Sequence, residues 1–152
     1  MMVARVCRRA GQRGFTLMEL IMVIIIMGAL SAVAYSRLNT DHFDVVAAAG
    51  ELVQAIRFAQ DKSMSHSGGS NYQVSISGTG YQVTRAGSPV VNPVTGSSPY
   101  TESWSGIAID TSTTIVFDAY GDPGLGAPLT ITLSKGADSA TVTVEDVTGF
   151  AR

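Results

Sequence analysis

Residues 15–35, FTLMELIMVIIIMGALSAVAY, form an apolar run whose only charge is Glu19. No other feature constrains the fold of this chain as tightly. As a helix at ~1.5 Å per residue the run is long enough to cross the hydrocarbon core of a bilayer. A helix apolar on every side must be surrounded by lipid or by protein, because it has no face to leave in water. Glu19 sharpens the constraint. An ionised Asp at a bilayer centre costs roughly 2.5–3.5 kcal/mol on insertion scales, and a Glu should be comparable. A lone carboxylate in such surroundings needs a cation or a proton.

Charge is distributed unevenly around the run. Arg5, Arg8, Arg9 and Arg13 precede it, and all twelve acidic residues lie from Glu19 onward. A basic lead-in before a hydrophobic stretch reads as a membrane-targeting signal, with the arginines kept on the cytoplasmic side. Beyond Gly14, six basic against twelve acidic side chains leave a formal charge of −6. That balance argues against a nucleic-acid partner, since phosphate contacts need clustered Lys and Arg. The only cysteine is Cys7, in the basic segment. A chain trimmed behind that segment would have no disulfide frame and no thiol chemistry.

The remaining chain changes texture twice. Residues 1–14 are short, basic and glycine-punctuated, like a leader, and residues 15–35 are the apolar helix. Residues 36–67 become amphipathic: Val45, Ala49, Leu52, Ile56 and Ala59 recur at three- and four-residue steps. Asp44, Glu51, Gln54, Arg57 and Asp61 fill the polar positions between them. RLNTDHFD is a candidate break, since Asn39, Thr40 and Asp41 suit a helix N-cap better than a helix interior.

Residues 68–152 form a β domain. NYQVSIS and YQVTRA alternate apolar and polar residues across Gly-Thr-Gly, which predicts a hairpin. GSPVVNPVTGSSPYTESWSG reads as a long irregular connection, and TTIVFDA, LTITLS and ATVTVED as further strands. The expected class is α+β: a long N-terminal helix, hydrophobic and then amphipathic, packed on a small antiparallel sheet. Unbroken over residues 15–67, that helix would be roughly 80 Å long. So small a β domain cannot cover it, so its first half must be buried in lipid or in other subunits.

GFTLMEL, Gly14 to Leu20, closely resembles the processing motif of type IV pilins and type II secretion pseudopilins. Its companions are the basic leader, the apolar helix and the β domain. The resemblance implies cleavage between Gly14 and Phe15 by a prepilin peptidase, N-methylation of the new Phe15 amine, and assembly with other pilins on an inner-membrane platform. It implies no cofactor. AIRFAQDKSM, IVFDAYGDPG and VEDVTGFAR resemble the minor branch, which includes the GspH- and FimT-like pseudopilins and the third pilin-like protein of mannose-sensitive haemagglutinin (MSHA) pili. The implied protein is a structural minor pilin or pseudopilin precursor. It would cross the bacterial inner membrane once, hold its β domain in the periplasm, and pass into a pilus or pseudopilus. Three departures bear on this. AVAYSRL lacks the proline many relatives carry there, the mature chain lacks the C-terminal cysteine pair of major pilins, and no calcium-loop pattern of the major pseudopilin is present.

Cleavage after Gly14 would create the cation Glu19 lacks, the Phe15 amine of a neighbouring subunit or of the same one. An intermolecular pair would set the stagger between adjacent helices. Ala32-Val33-Ala34 offers a rival signal-peptidase site, which would release a soluble secreted β protein starting at Tyr35. That alternative leaves Glu19 and the Gly-Phe boundary unexplained. A pilin-like DNA-uptake subunit is a third possibility, disfavoured by the charge. Asp118 and Asp122 flank a turn as weak candidate metal ligands, but turn aspartates more often cap backbone amides. His42 and His66 stand alone and read as solvated, and Trp104 as packed over the sheet or exposed for contact. No Ser-His-Asp, Cys-His or paired-carboxylate pattern suggests an enzyme.

Overall fold

A computed structural model of the chain describes residues 15–36, 40–66 and 71–152. They fall into two units, one before Thr40 and one from Thr40 onward. The first unit is helix α1, Leu17–Ser36. Thr16 caps it: its Oγ1 accepts the Glu19 N–H at 3.2 Å, and its carbonyl accepts the Leu20 N–H at 3.2 Å. Thr-x-x-Glu is the residue order of a capping box, with Phe15 and Leu20 at the flanking apolar positions of a staple. Further along, the Ser31 hydroxyl donates to the Met27 carbonyl at 2.7 Å, which satisfies it without water.

The second unit opens with α2, Thr40–Ser65. Residues 37–39 of the candidate break lie outside the described residues. The expected apolar stripe of Val45, Ala49, Leu52, Ile56 and Ala59 is buried, and Ala48, Ala55 and Ser63 widen it. Asp44, Glu51, Gln54, Arg57 and Asp61 all face solvent. Small residues in the stripe let the helix lie close on the strands beneath it.

The first sheet is built on the hairpin of β1 (Tyr72–Ser77) and β2 (Gly80–Arg85), in register from Tyr72↔Arg85 to Ser77↔Gly80. Two short strands, β3 (Ser88–Pro89) and β4 (Tyr100–Ser103), both pair with the outer edge of β2. The second sheet contains β5 (Ala108–Ile109), and the first is completed by β6 (Thr113–Phe117) on β1. The second sheet continues with β7 (Leu129–Lys135) and β8 (Asp138–Val144) in the order β5-β7-β8. α2 packs against both sheets. Leu52 and Ile56 meet Val74, Val83, Ile115 and Phe117 of one and Ile131, Leu133, Val142 and Val144 of the other in a single core.

This is the pilin-like α+β arrangement, with two corrections. Among the described residues there are two sheets, of five and three strands, rather than one small sheet. The segment expected to be irregular also carries β3 and β4. Its Pro, Gly and Ser content hides strands only two and four residues long, which form because β2 offers an unpaired backbone edge. Asn92 turns the chain back toward that edge, its Oδ1 accepting the Val94 and Thr95 N–H groups at 2.8 and 3.3 Å.

Candidate assembly site

Every residue of α1 from Leu17 to Tyr35 is exposed, including Ile24, Ile25, Ile26 and Leu30. The segment Leu17–Tyr35 is long and apolar enough to cross a membrane. Burying one such Ile or Leu side chain is worth about 1.5–3 kcal/mol, so a helix of this kind carries a large driving force toward lipid or other helices. Glu19 sits in the first turn, and α1 has no basic residue in its last turn. The carboxylate therefore lies at the end of the helix where its own N–H groups are unpaired, a favourable place for negative charge. Phe15 lies just outside that end, 83% exposed, so the backbone nitrogen that cleavage would free is close in sequence to the capping turn. Gly14 lies outside the described residues.

The two turn aspartates act as caps. Asp118 Oδ1 accepts the N–H groups of Tyr120 and Asp122 at 2.8 and 2.9 Å, and Asp122 Oδ1 accepts that of Gly124 at 2.7 Å. His42 is exposed, as expected, whereas His66 is half-buried. His42 Nδ1 lies 3.6 Å from Asp138 Oδ1. The His66 ring packs on Tyr72 at 5.6 Å, with Nδ1 3.2 Å from the Lys62 carbonyl. Trp104 packs on Tyr81 with ring centroids 5.5 Å apart and donates its Nε1–H to Glu51 at 2.9 Å.

The start of α2 is tied down by charge. Lys135 Nζ, at the end of β7, reaches Asp44 at 2.6 Å and Asp41 at 2.9 Å. The hydrogen bonds that Lys135 donates to these two carboxylates, Asp44 first, raise the lysine above its ordinary value. At the edge of β7, Asp110 accepts the Thr132 N–H at 2.9 Å and the Thr111 hydroxyl at 2.8 Å, which holds its carboxyl below the usual range.

The three short segments that carry the minor-branch resemblance meet at one junction. Gln60 of α2 donates through Nε2 to the Gly121 carbonyl at 2.9 Å and to the Thr148 carbonyl at 2.6 Å. Arg57 donates to the Ala151 carbonyl at 3.1 and 2.8 Å and lies over the Phe150 ring at 5.0 Å. Gly149, at φ +64°, passes so close that an added Cβ would lie 2.6 Å from Gly121 O, 2.7 Å from Gln60 Nε2 and 2.8 Å from Phe117 Cε1. Each segment was visible in the sequence, but their convergence was not, since no periodicity links residues 60, 121 and 149.

A family model described as "Prokaryotic N-terminal methylation motif" matches residues 9–35. A second, described as "Type II transport protein GspH", matches residues 48–148 and so covers most of α2 and both sheets. No curated protein and no solved structure matches the chain.

Proposed function

Because the chain belongs to the GspH family of type II transport proteins, we propose that it is the precursor of a minor subunit of a pilin-like filament. Pilin and pseudopilin families are structural rather than catalytic, and the work assigned here is mechanical. Prepilin peptidase cuts between Gly14 and Phe15, and the new Phe15 amine is methylated. The apolar helix holds the subunit in the inner membrane with its β domain in the periplasm. An assembly platform then draws the helix out of lipid and into a bundle of like helices. Close van der Waals packing between the apolar helices holds the bundle together, since transfer from lipid to a helix bundle removes no apolar surface from water. Glu19 supplies register by pairing with the Phe15 amine of an adjacent subunit, a charge-assisted bond that offsets the cost of burying both groups.

The observation that carries this reading is the exposure of α1 along its length, with one carboxylate in its first turn. Membership of a type II transport family supports a type II secretion pseudopilus as the host filament, with an MSHA-like pilus as the alternative. The test is the intact mass of the chain recovered from the membrane, periplasmic and secreted fractions of cells that contain prepilin peptidase. A product beginning at methylated Phe15 is expected. One beginning at Tyr35, twenty residues shorter, would instead support the secreted β protein.

A further inference from the structure

Outside the assembly helix and the Gln60 junction, the second unit holds a cavity of about 180 Å³ between α2 and the segment leading into β4. Its floor is aromatic. Tyr81 and Tyr100, both buried, meet at 5.9 Å and 71° between ring planes. Glu51 and Gln54 of α2 stand on one side and Glu102 of β4 on the other. Trp104 buttresses the floor against Tyr81 and steadies Glu51 through its indole N–H. Burial above all, and then Tyr100, push the Tyr81 hydroxyl far above the usual phenol range, so it stays neutral beside the two carboxylates. Among the described residues, no basic side chain lines the cavity.

Size and charge together define the guest. The cavity is smaller than the roughly 300–1,000 Å³ of sites that enclose drug-sized ligands, and suits a single side chain. Aromatic faces and carboxylates attract an organic cation, whereas an anion would be repelled and an apolar group would leave both carboxylates uncompensated. Among the described residues, the basic side chains are engaged elsewhere. Lys135 holds Asp41 and Asp44, Arg152 holds Glu145, Arg57 holds the C-terminal segment, and Lys62 and Arg85 lie over the Phe58 and Tyr72 rings.

We propose that this cavity receives a lysine or arginine side chain from a neighbouring subunit of different sequence. That a subunit carries the cation rests on the filament role above. That the cavity binds such a cation does not.

The two parts are tested separately. The full chain in non-ionic detergent is titrated with N-acetyl-lysine amide, N-acetyl-arginine amide and the apolar isostere N-acetyl-norleucine amide. Trp104, the sole tryptophan, provides the fluorescence signal. A saturable change is expected for the cationic probes only, weakened by salt and about two- to five-fold by Glu102→Gln, a substitution at the rim. No saturable change, or an equal response to norleucine amide, would overturn the cation site.

In assembling membranes, a photoreactive benzoylphenylalanine replaces Val94, on the cavity rim and 87% exposed. The expected adduct maps beside a Lys or Arg of a different polypeptide and is depleted by Glu102→Gln. An adduct only with copies of this chain would overturn the partner's identity. Lysine binding in detergent without any adduct would overturn the docking role while leaving the cation site standing.

Discussion

Replacing Gly149 by alanine tests whether the three-segment junction holds the second unit together. Gly149 has φ +64°, where an L side chain costs roughly 1–2 kcal/mol. Sterics add to this. The new Cβ would press on Gly121 O, Gln60 Nε2 and Phe117 Cε1, all within 2.8 Å. Phe117 is fully buried, so relief must come from the core or from breaking the Gln60 bonds. Overpacking of this kind costs typically 1–3 kcal/mol. The sum is about 2–5 kcal/mol, or roughly 8–20 °C in Tm at ~4 °C per kcal/mol. Gly96→Ala is the matched control, because Gly96 has φ +71° but nothing within 4 Å of an added Cβ. It should show the backbone part alone, about 1–2 kcal/mol. Both variants of the full chain in detergent are melted while Trp104 fluorescence is followed. If Gly149→Ala unfolds at the same temperature as Gly96→Ala, the junction is not tightly packed and the reasoning fails.

Other outcomes follow from the same contacts. Gln60→Ala removes both carbonyl contacts at once and should cost about 1–3 kcal/mol in a thermal melt, at 0.5–1.5 kcal/mol per bond. Leu52→Ala, at the centre of the core, should cost about 2–5 kcal/mol by the same measurement. Asp110 has a lowered carboxyl pKa in the folded state, so its contribution is present above the ordinary value of 3.8 and is lost as pH falls through the folded value. Asp110→Asn should therefore flatten the pH dependence of Tm below about pH 4 and leave it unchanged near pH 7.

Much of this architecture was legible in sequence because it rests on local pattern. The stripe from Val45 to Ala59 follows helical spacing and is buried as that spacing requires. The β1–β2 hairpin follows apolar–polar alternation, complete in β1 and interrupted in β2, where Val83 and Thr84 are both buried. What escaped depends on contacts distant in sequence. β4 exists because Tyr100–Ser103 finds the edge of β2 some twenty residues earlier, with no alternation strong enough to announce it. His66 read as solvated because its partner, the Tyr72 ring, lies in another element. Glu51 read as one of several polar positions on α2, and only the fold brings it to the cavity with Tyr81 and Glu102. The Thr16–Glu19 cap could have been read directly, since Thr-x-x-Glu before an apolar run is a capping-box signature. That cap engages the Glu19 backbone N–H, whereas the intersubunit role proposed for Glu19 falls to its carboxylate.

The central claim is that Glu19 acts between subunits, and incorporation of Glu19→Val into filaments tests it most directly. The variant keeps Gly14, Phe15 and the apolar character of the run, and its leader should be removed normally. Filaments sheared or purified from cells carrying the wild type or the variant are compared for this subunit, normalised to the processed form in the membrane. We expect processed Glu19→Val to accumulate in the membrane and to be strongly depleted from the filament fraction. Equal incorporation of the two proteins would contradict the register role.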